Sequence, residues 1–307
     1  NVQNIKIFPT YTVMQQLRVG TDCSGIEAPI QALQQLNIPF IHEFACEKDK
    51  YALQSIQANY NPKLIYTDIT TRDHSSLPDI DLYVCGFPCQ PFSNIGKKLG
   101  ILDPRSNISE HCTEVIRVKQ PKFFILENVK NFKTIQDGIP FNHLLQELNV
   151  LDYSISVDIL NTKDYGIPQN RERLFFIGIR KDINKSYVTP EKKEMNSLDS
   201  CIEDKTIQFF NPPPSVLRKL IDIDFKNNYI CPASKFTKVR SNMSPTLTTS
   251  NGGYYHSTYN RYLTPRECLN LQGFKDFTQV VSNTQMYKQA GNSMSVNVIK
   301  EIITQFI

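Results

Sequence analysis

Between residues 17 and 180 the chain repeats one pattern: a short apolar run, a turn, then a stretch with apolar residues at helical spacing. "LRVGTDC" (17–23) leads into a helical segment around Ala28–Leu36. "IHEFACE" (41–47) leads into "KDKYALQSIQANY" (48–60), which Pro62 ends. "KLIYTDI" (63–69), "DLYVCGF" (81–87) and "KFFILENV" (122–129) are further strand candidates, and "ISEHCTEVIRVK" (108–119) reads as a helix. "DYSISVDIL" (152–160) and "RLFFIGI" (173–179) close the series. Few folds accept such a rhythm. Each strand must be covered on both faces by the helices that follow it, which predicts a doubly wound α/β domain around a mostly parallel sheet. A chain of 307 residues, 40% of them hydrophobic, is long enough to bury that core.

Polar or reactive residues recur where successive strands end: Asp22, Glu47, Asp68, Cys89 and Glu127. In open α/β sheets the ligand crevice lies at the carboxyl ends of the strands, where strand order reverses. In the usual winding the first and fourth strands straddle that point, so Asp22 and Cys89 are expected to face one crevice.

The texture changes after Lys181. Residues 182–260 are polar and irregular, with "NPPPS" (211–215) and "SNGGYY" (250–255). A smaller second domain of mixed strands and loops is expected there. It sets Lys235, Lys238 and Arg240 near Tyr254, Tyr255 and Tyr259, a mixture that suits a polyanion with exposed bases. A solvated, loop-rich surface accounts for the same composition. The last segment (291–307) begins with cap-type Asn292 and Ser293 and spaces Val296, Ile299, Ile302, Ile303 and Phe306 as one helical face. This helix is expected to return to the first domain.

Eight cysteines are scattered without a CxxC pair, which suggests neither a zinc site nor a disulfide framework and fits a reduced, cytosolic chain. No apolar run approaches the ~20 residues of a membrane span, and none reads as a signal peptide. The net charge of +4 permits a nucleic-acid partner and does little to argue for one.

Cys89, in "GFPCQPFS" (86–93), lies just past an apolar strand, in a loop stiffened by Pro88 and Pro91. Most single cysteines are inert small hydrophobes, whereas one held in a loop near a helix N-terminus can act as a thiolate. Position alone leaves both readings open. Glu127 in "LENV" ends an apolar strand. It is costly to bury without a partner, and in a dry crevice it can hold a proton and donate it to a ring nitrogen. A cap or a plain ion pair is the ordinary alternative. Arg171 and Arg173 in "PQNRERLFFIGIR" (168–180) fall on one side at strand spacing, in phase with Gln169. They suit surface salt bridges, a base carbonyl or a phosphate. "TDCSGIEAP" (21–29) has one glycine and neither a GxGxxG nor a P-loop pattern, so no phosphate site is implied. Glu47 at the next strand end suits a ribose diol and Asp68 an adenine amino group. Those acids favour a nucleoside without phosphates, such as S-adenosylmethionine.

Together the segments "TDCSGIEAP", "CEKDKYA", "TDIT", "GFPCQPFS", "LENVKNF", "DYGIPQNRER", "TPRECLNLQGF" and "QAGNSMSVNVI" resemble, in order and over nearly the whole chain, the DNA (cytosine-5) methyltransferase family of prokaryotic or viral type. The resemblance implies a Rossmann-like S-adenosylmethionine-dependent methyltransferase domain over 1–181, completed by a C-terminal helix at 285–307, with a target-recognition domain over 182–284. It implies that Cys89 adds to C6 of a flipped-out cytosine, with Glu127 at N3 and the exocyclic amine, Arg173 at O2 and Arg171 supporting them. The implied cofactor pocket takes Asp22, Cys23, Gly25 and Ile26 from the first motif, Glu47 and Lys48 from the second, and Asp68 and Ile69 from the third. Gly86, Pro88, Asn292 and Ser293 complete it. Gln90, Ser93 and Arg105, in a loop expected to close over the base, and Thr246 are implied DNA contacts, and the basic and aromatic mixture adds Lys235, Arg240 and Tyr254 to the expected ones.

The chain departs from the family where Cys23 and Lys48 replace residues that cover the adenine, and where Glu27 and Ala28 stand in place of glycines. The expected partner is double-stranded DNA, met by a monomer in the cytoplasm and nucleoid (of a host cell if viral). A cognate restriction endonuclease would act on the same site without binding the chain. An RNA methyltransferase of the same superfamily, a thymidylate synthase and an inactive DNA-binding regulator are the weaker readings. The first lacks its tripeptide insertion here. The second lacks "ENV" and "QNRER". The third is opposed by intact Cys89, Glu127 and Arg173.

Overall fold

The computed structural model describes residues 16–88, 108–203, 230–232, 242–249 and 253–307, together with 211 and 214. Seven strands form one sheet in the order β3-β2-β1-β4-β5-β8-β6. They are β1 (Leu17–Asp22), β2 (Phe40–Cys46), β3 (Leu64–Tyr66), β4 (Leu82–Cys85), β5 (Phe123–Val129), β6 (Tyr153–Asn161) and β8 (Glu172–Arg180), with a two-residue β7 (Gln169–Asn170) outside this sheet. Strands β1 to β5 run parallel, while β8 joins β5 and β6 antiparallel. Strand order reverses between β1 and β4, where Asp22 pairs with Cys85 on one side and Cys46 on the other. The doubly wound sheet expected from the alternation is therefore present, with its switch point at β1 and β4.

Both faces are covered, and period-2 alternation decides which residue goes where. Leu82, Val84, Phe123, Ile125, Phe175 and Ile177 face a core with α1 (Ala28–Gln35) and the last helix. Tyr83, Cys85, Phe124, Leu126, Leu174 and Phe176 face the opposite core with α3 (Ile108–Lys119) and α4 (Ile139–Asn149). Packing is close enough that a Cβ on Gly178 would lie 2.0 Å from the Phe124 ring. On the first face α2 (Lys50–Asn59) is tied by Ser55 to Gln289 of the helix over Asn283–Asn292.

The last helix, α7 (Val296–Ile303), does return to the first domain: Phe306 stacks on Phe123 with ring centres 4.7 Å apart. Its cap is Ser295. Asn292 and Ser293 instead end the preceding helix α6 (Asn283–Asn292), so the cap expected from them belongs two residues later. The region after Lys181 contributes a three-stranded antiparallel sheet of β9 (Ile230–Pro232), β11 (Tyr254–His256) and β12 (Arg261–Tyr262). A short β10 (Ser244–Pro245) pairs instead with β7. Leu247, Tyr254, Leu263 and the helix α5 (Pro265–Asn270) pack into the same core as α1 and α7. The α5 helix starts with a full capping box between Thr264 and Glu267. No helix among the described residues is long and apolar enough to cross a membrane.

Candidate active site

The carboxyl ends of β1, β2, β4 and β5 converge on one crevice. Beyond β1 the chain makes a tight turn with three residues at positive φ: Cys23 (47°), Gly25 (61°) and Glu27 (62°). The Glu47 carboxylate wraps onto this turn and onto its own loop, accepting from Gly25 N at 2.9 Å, Lys48 N at 2.8 Å and Asp49 N at 2.9 Å. Burial pushes the Glu47 carboxyl up, and those three N–H donors oppose the shift. Asp68 accepts from Lys48 Nζ at 2.7 Å and from the Thr70 amide and hydroxyl, which hold it down at about 2. Lys48 is otherwise open to solvent, so it covers this corner as a movable cation rather than as a fixed ring.

Two expected pocket residues are turned elsewhere. Ile26 is fully buried in the core beneath the turn, and Ile69 is buried in the opposite core, so neither side chain faces the crevice. Asp22 is a larger correction. It has no exposed surface, and both its oxygens are held by the Arg72 guanidinium, with Tyr83 donating its hydroxyl as well at 2.6 Å. Arg72 lies over the rings of Phe44 and Tyr66. Asp22 is thus one half of a closed internal ion pair, with both oxygens paired and no surface turned to a ligand. Nothing in the sequence marked Arg72 as its partner, 50 positions away.

On β4, Cys85 lies in the strand, fully buried, with its thiol pushed well up by burial and donated to by Cys112 at 3.2 Å. It is the inert kind of cysteine. The chain then leaves the sheet through Gly86, Phe87 and Pro88 toward Cys89. Cys89, Gln90, Ser93, Arg105, Lys235 and Arg240 lie outside the described residues. A Cβ on Gly86 would meet Met294 Cε at 3.0 Å, Cys23 O at 3.2 Å and Glu127 Oε2 at 3.6 Å. This glycine therefore brings the turn after β1, the segment after α6 and the end of β5 within one van der Waals shell. Pro88 is exposed. Asn128 donates its amide to Phe87 O at 3.2 Å and so anchors the chain two residues before Cys89, a role the sequence did not single out.

Glu127 is paired with Arg173 across β5 and β8 (Nε to Oε1, 3.1 Å). Burial raises its carboxyl above the ordinary glutamate range, and Arg173 followed by Arg171 pulls it back. Protonation is thereby made easier without losing a charged partner. The two arginines do not share a side. Arg173 turns to Glu127, while Arg171 is 2% exposed and donates to Leu247 O (2.9 Å), Gly291 O (3.2 Å) and Ser293 O (2.7 Å). Gln169 joins it, donating to Leu271 O and accepting from Leu247 N. Gln169 and Arg171 form a buried polar hub that binds the β7–β8 junction to the 244–248 segment and to the end of α6. This break at β7 is why strand spacing failed to describe them. Of the last two pocket residues, Asn292 is exposed and Ser293 is buried beside Arg171.

Among the expected DNA contacts, Thr246 donates its hydroxyl to Asn170 O at 2.7 Å. Tyr254 is a correction: it is 3% exposed, and its hydroxyl accepts from Thr248 N and donates to Thr246 O. Tyr254 supports the 246–248 segment from beneath and offers no surface to a partner. Among the described residues no group of three or more His, Cys, Asp or Glu side chains is arranged to hold a metal ion.

The site's chemistry suits S-adenosylmethionine. Acids rather than phosphate-binding donors surround the turn, and Gly25 has open space where a Cβ would stand. The comparison with known families decides the matter: residues 22–209 and 214–307 match the model of the C-5 cytosine-specific DNA methylase family. The chain belongs to that family. This C-5 methylase is 34% identical over 291 residues to the type II methyltransferase M1.ScrFI of Lactococcus lactis subsp. cremoris, covering 86% of this chain and 71% of that one. It is 32% identical over 279 residues to M.HhaI of Haemophilus parahaemolyticus, covering 84% and 85%. The methyltransferase EhMeth of Entamoeba histolytica shares its fold at a TM-score of 0.76 and 21% identity, over 95% of this chain and 98% of that one. The chain is accordingly a DNA cytosine-5 methyltransferase that uses S-adenosylmethionine as methyl donor.

Proposed function

We propose that the chain methylates C5 of a cytosine flipped out of a short, specific duplex sequence, through a covalent bond between Cys89 and C6. The observation that carries this reading is the placement of Gly86, which leads to Cys89 while touching both the turn after β1 and the Glu127 carboxyl. Cys89 comes three residues after this glycine, and the reading sets it next to the proposed cofactor turn and a protonatable carboxyl.

S-adenosylmethionine, when bound, supplies an electrophilic methyl group. Glu47 is suited to its ribose and Asp68 to its adenine amino group, with Gly25 and Cys23 lining the turn. C5 of cytosine is too poor a nucleophile to take that methyl unaided. Cys89 as a thiolate adds to C6 and makes the ring enamine-like. Glu127, raised by burial, gives its proton toward N3 and accepts from the exocyclic amine as charge develops. Arg173 holds O2 from the other side of the same ion pair. Loss of the C5 proton then lets the sulfur leave. Arg171 supports this site from behind by fixing Ser293 and Leu247. A base inside a duplex is out of reach, so it must be turned out at a cost of about a few kcal/mol.

Gln90, Ser93 and Arg105 are assigned to closure over the flipped base, and Lys235, Arg240 and Thr246 to the DNA. The catalytic domain spans 1–181 with 285–307, and target recognition falls in 182–284. The chain acts as a monomer on DNA in the cytoplasm. A cognate endonuclease, where one exists, meets the site and not the protein. Bisulfite sequencing of DNA from a methylation-free host expressing the chain tests the proposal. One short motif protected at one cytosine is expected. Uniform conversion, from folded protein that binds cofactor, contradicts it.

A further inference from the structure

Glu27 stands in the first motif at a position where the family resemblance leads one to expect glycine. A non-glycine residue at φ 62° is strained, and Cys23 at φ 47° adds a second such strain. Something must hold this turn in shape.

The Glu27 side chain does so. It is fully buried, and Oε1 accepts from Ser24 Oγ at 2.6 Å and Thr21 Oγ1 at 2.9 Å. Its backbone N–H closes the loop onto Ser24 O at 3.1 Å. One carboxyl therefore ties the end of β1 to the middle of the turn. The second oxygen, Oε2, is buried with no hydrogen-bond partner. Its nearest basic neighbour, His42 Nε2 on β2, is 3.9 Å away and is itself bonded to Thr21 Oγ1 at 3.1 Å. A carboxylate with one oxygen stripped of water and donors is strongly disfavoured, so the group keeps its proton.

We propose that Glu27 is a positioning residue for the cofactor turn: its buried neutral carboxyl braces Thr21 and Ser24 in the conformation that glycine would otherwise supply, and ionisation leaves Oε2 a buried charge without a partner, which the turn relieves by opening to water. The inference rests on the reading that this turn holds the cofactor.

The surroundings agree. Burial first, then the charges of Glu47 and Asp22, pushes the Glu27 carboxyl up to about 8, against the pull of Ser24 and Thr21. Burial takes His42 down to about 4, so it stays neutral and offers no counter-charge. Tyr60 on the α2 side is raised by burial and by Glu27 itself. Asp22 is already spent on Arg72. Cofactor affinity therefore holds below the raised value and falls as pH climbs through it.

The test is calorimetric titration of the full chain with S-adenosylhomocysteine at pH 7 and pH 9, for wild type, Glu27→Gln, Glu27→Gly and Glu47→Ala. The ligand's amino group titrates in the same range, so the quantity read is the ratio of wild-type Kd to variant Kd. A single proton lost near pH 8 raises the wild-type to Glu27→Gln ratio about tenfold between the two pH values. Glu27→Gly, which reaches positive φ unaided, should give the same rise and serves if the glutamine variant fails to fold. A ratio that stays constant overturns the inference. Glu47→Ala separates the two levels. If it weakens binding at pH 7, the turn holds the cofactor and a flat ratio counts against Glu27 alone. If it leaves binding unchanged, the cofactor-turn reading falls and takes the inference with it.

Discussion

Two carboxylate–arginine pairs stand at the same edge of the sheet and are built for opposite ends. Asp22 and Arg72 are both almost wholly buried, the guanidinium spans both carboxylate oxygens, and Tyr83 donates as well. Glu127 and Arg173 meet through one N–H and one oxygen, each partly open to the crevice. The first pair exposes none of its carboxylate and has both oxygens paired. The second leaves Glu127 Oε2 beside Gly86, and burial lifts its carboxyl toward protonation. Residue types do not separate structural from reacting acids here. What separates them is whether both oxygens are paired and shut away from the crevice.

The comparison can be broken by substitution. Arg72→Ala strands a buried carboxylate and should cost roughly 3–5 kcal/mol of stability, read as a lower urea midpoint with unchanged slope. Glu127→Gln should lower kcat about 10²–10³-fold while stability holds or rises. The sign follows from the shift. A carboxyl raised on folding contributes most below its unfolded value and loses that contribution as pH rises through its folded value. Wild type should therefore lose stability relative to Glu127→Gln as pH increases from the ordinary glutamate range upward, and parallel pH series of unfolding curves check it. A large stability loss in Glu127→Gln would place both pairs in one class. Gln169→Leu leaves Leu247 N and Leu271 O without their partner and should cost about 1–3 kcal/mol. Lys48→Ala, at an exposed and salt-screened pair, should have the smallest effect on unfolding of all, with a modest loss of cofactor affinity that shrinks at high salt.

The same contrast explains what the sequence made legible. Strand and helix alternation was readable because strands buried on both faces are short, nearly continuous apolar runs, and the usual winding of such a sheet places β1 beside β4. Glu127 and Arg173 stood out because charged residues flank long apolar runs. Asp22 stood out equally, but its partner lies in a polar loop with no periodicity to declare it. In the "GNSMS" stretch Asn292 and Ser293 read as the cap, and only the backbone places it at Ser295. Tyr254 was assigned to a surface from the basic residues around it, whereas its ring is buried and its hydroxyl holds its own segment. The helix over Ile139–Asn149 went unread, since its apolar residues follow a turn with Gln136 and Asp137 at positive φ.

The most direct test uses a duplex carrying 5-fluorocytosine at the motif that bisulfite mapping identifies, incubated with S-adenosylmethionine. Fluorine cannot leave as a proton, so the enzyme should be caught as a covalent DNA complex that survives denaturation. The complex should be absent for Cys89→Ser and formed far more slowly by Glu127→Gln. Folded, cofactor-binding wild-type protein that forms no such complex, or a Cys89→Ser variant that forms it as readily as wild type, contradicts the account.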